Sequence, residues 1–227
     1  MKPEFSVSLM CLDYLRIQEQ IEILNSRADF YHIDIMDGHY CKNITLSPDF
    51  MSAIKKISTI PMEVHLMTEY PGDFIDMVRE AGAETITVHA ETINSDAFRL
   101  INKIKSLGAK VGIALNPATP LDYIRHYIPR IDMITIMTVD PGFAGQPFIE
   151  EMLEKITLCK KLKEEKGYYY TIQVDGSCNA RTFEKLHKAG AERYIVGTSG
   201  LFSLDANLEK AYDKMRNAFT SSTGIAV

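Results

Sequence analysis

The 227 residues are 46% hydrophobic and 24% charged, with a formal net charge of −5, and one α/β barrel domain of roughly 250 residues is the natural size match. That balance provides no basic field for nucleic acid, and no apolar run is long enough to span a bilayer. An anionic small molecule would have to be held locally, by backbone N–H groups and helix ends.

In chain order, short apolar runs alternate with longer amphipathic ones. Runs rich in Val, Ile and aromatics predict strands at 5–10, 30–36, 61–67, 84–89, 110–115, 132–138, 170–175 and 193–197. Their near-continuous apolar character indicates burial on both faces, as in a parallel sheet under helices. Between them, three- and four-residue spacings predict helices, clearest at 14–26, 96–107 and 149–165. Gly82, Gly108, Gly167 and Gly190 fall between a helical run and the next strand, where a left-handed residue ends a helix. The segments 81–84 and 189–192 both read Ala-Gly-Ala-Glu, which suggests one helix-to-strand turn used twice.

Eight such units predict a (β/α)₈ TIM barrel spanning 1–227 as one domain, with 220–227 as a loose tail. The alternative is an open doubly wound sheet. It is weakened by the strand count and by the lack of a Gly-x-Gly-x-x-Gly turn after the first strand. Cys11, Cys41, Cys159 and Cys178 form no CxxC pair and no secretory signal precedes them, so free thiols and a cytoplasmic location are expected.

In a barrel the chemistry sits at the C-terminal strand ends. His32 and Asp34 are two apart near the end of the second strand and therefore share one face. His65 and Asp175 stand near the ends of the third and seventh strands. Two imidazoles and two carboxylates converging from three strands make a plausible N₂O₂ site for Zn²⁺, Mn²⁺, Fe²⁺ or Co²⁺. A lone His at a strand end is more often structural, and His65 alone carries no argument. An inward Asp34 in an apolar strand is costly unless paired or metal-bound, which tips the balance toward a site. His89 is read as structural, His39 and Asp37 as turn residues, and His126 and His187 as solvent-facing.

Small-residue loops follow the sixth, seventh and eighth strands: Gly142-Phe143-Ala144-Gly145, Gly176-Ser177 and Gly197-Thr198-Ser199. Each is weak evidence alone, because turns need glycine. Together they suggest backbone N–H groups gathered around a phosphate. Met36, Met67 and Met137 lie near the ends of the second, third and sixth strands. Barrel-top packing is the ordinary reading for each, and a polarizable ring around a reacting centre is the sharper one.

YHIDIMDGH (31–39), EVHLM (63–67), LNPATP (115–120), MTVDPGFAGQPF (137–148), VDGS (174–177) and VGTS (196–199) together resemble the ribulose-phosphate 3-epimerase family, over about residues 5–215. The resemblance implies a (β/α)₈ barrel with one divalent metal ion (Zn, Mn, Co, Fe or Mg), association into a homo-oligomer and a ketose-phosphate substrate. It implies metal ligands at His32, Asp34, His65 and Asp175, with Asp34 and Asp175 as the two acid–base groups. It also implies substrate contacts at Ser8 and His65, with phosphate at Gly142, Phe143, Ala144, Gly145, Gly176, Ser177, Gly197, Thr198 and Ser199. Val7 stands where the family commonly has Pro. The reaction so implied inverts C3 through a metal-stabilised enediolate, with a carboxylate on each side of the substrate plane. Within the family, the segments 8–11, 45–48, 91–94, 175–177 and 197–202 look most like the branch acting on D-allulose 6-phosphate. The alternative substrate is D-ribulose 5-phosphate. A metal-dependent hydrolase is disfavoured because Ser8-Leu9-Met10-Cys11 lacks a His-x-His pair. A non-catalytic phosphosugar-binding barrel would not need both Asp34 and Asp175.

Overall fold

The computed structural model describes residues 2–227. Strands β1 (Glu4–Ser8), β2 (Phe30–Met36), β3 (Met62–Met67), β4 (Ala83–His89), β5 (Lys110–Leu115), β6 (Met133–Met137), β7 (Thr171–Asp175) and β8 (Arg193–Val196) run parallel. β8 pairs with β1, from Glu4↔Arg193 to Val7↔Val196, so the sheet closes as a barrel and the open-sheet alternative is excluded. Around it lie α1 (Ile17–Leu24), α2 (Pro48–Ile54), α3 (Ile75–Glu80), α4 (Ala97–Ser106), α5 (Met152–Lys166), α6 (Phe183–Ala189) and α7 (Leu208–Thr223).

Local chemistry explains most boundaries. Ser47 caps α2 by accepting from Phe50 N–H, with Pro48 in the first turn. Gly167 and Gly190 end α5 and α6 in the left-handed conformation. The two Ala-Gly-Ala-Glu segments do make the same move, from the ends of α3 and α6 toward β4 and β8. Two features differ from expectation. After β5 the chain forms two 3₁₀ turns, Leu121–Ile124 and Ile128–Arg130, in place of an α-helix. Pro117, Pro120 and Pro129 withhold the N–H groups an α-helix there would use. At the other end, 220–227 is not a loose tail. α7 continues through Thr223, and Ile225 and Val227 pack against the core because Phe219 draws that last turn inward.

The apolar core lies between barrel and helices, where Val7, Ile33, Val64, Ile86 and Val111 meet side chains such as Ile21, Met51 and Phe183. The barrel interior is different. Alternate residues on the same strands place Ser6, His32, Asp34, Glu63, His65, Thr87, His89, Thr135 and Gln173 in fully enclosed positions. Barrels of this type usually fill that space with branched aliphatics. Most of these polar groups are hydrogen-bonded to one another, which fixes the orientation of their side chains, whereas the Ser6 and Thr87 hydroxyls have no partner.

Candidate active site

Register decides which side chains meet. Asp34 on β2 pairs with His65 on β3, and His32 pairs with Glu63, so both imidazoles and Asp34 rise on the inward face. Asp175 ends β7 across the mouth. His32 Nε2 and His65 Nδ1 lie 3.2 and 3.3 Å from Asp34 Oδ1. The same nitrogens lie 3.9 and 3.4 Å from Asp175 Oδ2. One ligand atom from each of the four residues falls within 4.8 Å of every other.

The donor chemistry fits a divalent cation. Two imidazole nitrogens and two carboxylate oxygens face one another, while the opposite ring nitrogens are occupied elsewhere. His32 Nδ1 contacts Glu63 Oε1 at 3.0 Å, and His65 Nε2 contacts His89 Nε2 at 2.9 Å. The cluster could therefore hold a metal ion through His32 Nε2, His65 Nδ1, Asp34 and Asp175. Charge tells the same story. Burial alone would depress the His32 imidazole, but Asp34, Glu63 and Asp175 hold it well above its ordinary range. Burial would likewise depress His65, which Asp175 and Asp34 pull upward. Burial would raise Asp34, yet His32 and His65 drag it far below the usual carboxylate range. The centre demands positive charge, whether protons or a metal ion supply it.

Above the cluster opens a cleft lined by Ser8, Asp34, Asp175, Met36, Met67, Met137 and the three small-residue loops. Gly142, Phe143, Ala144, Gly145, Gly176, Ser177, Gly197, Thr198 and Ser199 all reach it. His65 does not. Its side chain is wholly enclosed beneath the cleft, so its expected place among the substrate contacts is not what the geometry gives. The two carboxylates differ in access: the Asp175 side chain is 17% exposed and that of Asp34 only 5%. The Ser8 hydroxyl donates to Asp34 Oδ2 at 2.7 Å, turning Oδ1 toward the imidazoles.

The loops are tied to one another. The Ser177 hydroxyl donates to the Gln146 carbonyl, Asn179 Nδ2 to Ser199 Oγ at 3.2 Å, and Asn43 Nδ2 to the Gly142 carbonyl at 2.7 Å. Gly176 has φ +116°, and a Cβ there would lie 2.7 Å from Val139 Cγ2, so the tight approach of β6 and β7 loops requires glycine. Thr198–Phe202 form one wide helical turn, with Ser203 N–H bonding the Thr198 carbonyl.

Several participants were not singled out from the sequence. Glu63 is fully buried and accepts from Gln173 Nε2 and from Arg193 Nη1, the latter at 2.7 Å. His89, read as structural, contacts His65 and also Tyr40 OH at 2.8 Å. Burial pushes His89 down to about 4, so the ring is neutral at neutral pH. Glu63 was recoverable, since it stands two residues before His65 on one strand face. His126 is exposed as expected, whereas His187 is half-buried against Tyr194. Among the described residues no helix is long and apolar enough to cross a membrane.

The model of the ribulose-phosphate 3 epimerase family matches residues 4–202. A ribulose-phosphate 3-epimerase of Methanocaldococcus jannaschii is 38% identical over 216 residues, which are 95% of this chain and 90% of the relative. One from Bacillus subtilis is 38% identical over 194 residues, 85% and 89% of the two chains. Among solved structures, 3-hexulose-6-phosphate synthase from Salmonella typhimurium superposes with a TM-score of 0.70 at 17% identity. It covers 96% of this chain and 99% of that one, a likeness of fold alone.

Proposed function

This chain belongs to the ribulose-phosphate 3-epimerase family, whose members are carbohydrate epimerases, and from that premise we propose that it inverts C3 of a ketose phosphate. The observation that carries the reading is the pairing of Asp34 and Asp175 on one enclosed His/Asp cluster below a cleft of small-residue loops.

Inversion next to a carbonyl needs a base on one side of the substrate plane and an acid on the other, because a single carboxylate returns the proton to the side it left. Asp34 and Asp175 come from β2 and β7 and can stand on opposite sides of a substrate seated between them. Ser8 orients Asp34 and leaves it a fixed base or acid. His32, Asp34, His65 and Asp175 would hold one divalent ion. When bound, that ion would stabilise the negative charge that develops on the substrate oxygens as the proton leaves. The thioether side chains of Met36, Met67 and Met137 line the cleft and restrict water around the reacting carbon. The residues lining the cleft include no Lys or Arg, so the phosphate is held by backbone N–H groups around Gly142–Gly145, Gly176–Ser177 and Gly197–Ser199.

The names of the relatives favour D-ribulose 5-phosphate as the substrate. A second reading, D-allulose 6-phosphate, is supported by the Asp175-Gly176-Ser177 and Gly197–Phe202 segments, of which Asp175–Ser177 and Gly197–Ser199 line the cleft. The deciding experiment measures kcat/KM for both substrates on one metal-loaded preparation. A clear preference for either assigns the substrate, and turnover of neither defeats the epimerase reading of this cleft.

A further inference from the structure

A buried line of charge runs down the barrel axis from the candidate metal cluster to the opposite mouth. Glu4 Oε2 accepts from Arg193 Nη2 at 2.8 Å, and Arg193 Nη1 donates to Glu63 Oε2 at 2.7 Å. Glu63 Oε1 meets His32 Nδ1 at 3.0 Å and accepts from Gln173 Nε2. The Gln173 amide is itself oriented, because Thr135 Oγ1 donates to its Oε1 at 2.7 Å. Arg193 lies over the Phe30 ring, 3.6 Å from its centroid, which fixes the guanidinium plane.

Donor and acceptor roles follow from the partners. A guanidinium can only donate, so Glu63 Oε2 is an acceptor. The Gln173 oxygen is taken by Thr135, so its nitrogen faces Glu63 and Oε1 is an acceptor too. Neither Glu63 oxygen has room for a proton, and His32 Nδ1 must therefore carry one. In the neutral ring that a metal ion requires, the free nitrogen is then Nε2, the atom that faces Asp34 and His65.

We infer that Glu63, braced by Arg193, is a positioning residue that locks His32 into the tautomer presenting Nε2 to a divalent cation. The inference rests on the reading of His32, Asp34, His65 and Asp175 as a metal centre. Glu63 lies neither on the cleft nor among the four clustered ligands. It acts through one hydrogen bond, as carboxylates behind metal-binding imidazoles do.

The test is Co²⁺ affinity, by competition with a chelator, in the wild type, Glu63→Gln and Glu4→Gln. Glu63→Gln keeps the side-chain volume but puts an amide where an acceptor is required, and Co²⁺ binding should weaken about 10- to 100-fold, with a changed visible spectrum. Glu4→Gln cuts the same line one step further away and should leave Co²⁺ affinity unchanged. Equal affinity in the wild type and Glu63→Gln overturns the inference while leaving the metal reading intact. An equal loss in Glu4→Gln overturns it in favour of general loosening. A wild type that binds no Co²⁺ defeats the metal reading and this inference with it. A measurement that needs no variant is ¹⁵N NMR of the Zn²⁺-loaded wild type. A proton on His32 Nδ1 supports the assignment, and a proton on Nε2 overturns it.

Discussion

His32 and His65 meet through unlike ring nitrogens, Nε2 of the first lying 3.4 Å from Nδ1 of the second. Neighbouring strands in register would carry equivalent atoms side by side. Here His32 sits one inward position below Asp34, while His65 is level with it. The lower ring must reach upward with its far nitrogen and the upper ring turns its near one, so both arrive at the same point. The outer nitrogens are then free to be held by Glu63 and His89.

Two carboxylates and two imidazoles brought this close call for added positive charge, which protons on the imidazoles or a divalent cation can supply. Stripping divalent metal with a chelator should lower the thermal midpoint. Adding it back should raise the midpoint progressively with concentration, because a ligand that binds only the folded state stabilises as the logarithm of its concentration over Kd. Differential scanning calorimetry across a Zn²⁺ or Mn²⁺ series measures this. A midpoint indifferent to metal would remove the cluster from consideration as a metal centre.

The two carboxylates should separate in an isotope experiment. Asp34→Asn and Asp175→Asn are each expected to lower epimerisation about a thousandfold or more. In D₂O, the variant retaining the competent carboxylate for one face should still exchange the C3 proton of one epimer without inverting it. Mass spectrometry of recovered substrate reads the exchange. Near-normal inversion by either variant contradicts the assignment of one acid and one base.

Much of this site is legible in the primary structure, for a physical reason. In a barrel the functional face is reached at strand ends, and strand parity tells which residues look inward. The bounds of β2 and β5 coincide with the runs 30–36 and 110–115, because each carries alternating β-branched residues, Ile33 and Ile35 or Val111 and Ile113, and is closed by turn residues. His32, Asp34, His65 and Asp175 could be placed together from spacing and chain order. What stayed hidden is the pairing inside the barrel. Glu63 and Arg193 are 130 positions apart, and nothing local to either marks its partner. The helix expected after β5 follows only from the alternation of eight strand–helix units, whereas Pro117, Pro120 and Pro129 leave that segment as 3₁₀ turns. The end of α7 was hidden because Gly224 and the small residues before it resemble a frayed terminus, whereas Phe219 anchors that turn.

Glu63 also makes stability depend on pH. Burial alone would raise its carboxyl, but the His32 hydrogen bond and the Arg193 charge bring it from 4.5 down to about 2. A carboxyl whose folded value lies below its unfolded value contributes its full stabilisation above the unfolded value and loses it as pH falls toward the folded one. The window is therefore from 4.5 down to about 2, and the contribution at stake is about 3 kcal/mol. Urea unfolding of metal-free protein through this window should show a steeper loss of stability in the wild type than in Glu63→Gln. Parallel curves would mean that the carboxyl keeps an ordinary value in the fold.

Gly112 tests how tightly the interior is built. It stands on β5 opposite Thr87 in the register of β4. A Cβ at this position would overlap Thr87 Oγ1, lie 3.0 Å from Thr87 Cβ and come within 3.2 Å of Met133 Cε. Outside the barrel α4 packs against β5, and inside it Thr87 and Met133 are enclosed, so neither side gives way easily. Gly112→Ala should therefore destabilise by about 1–3 kcal/mol, as overpacking in an enclosed core does, even though alanine suits a strand better than glycine. Pairing it with Thr87→Ala should recover part of the loss, because the overlapping hydroxyl oxygen is gone, and Thr87 Oγ1 has no hydrogen-bond partner to sacrifice. Chemical denaturation of the two single variants and the double variant measures the coupling. Strict additivity would show that the strain at Gly112 comes from something other than Thr87.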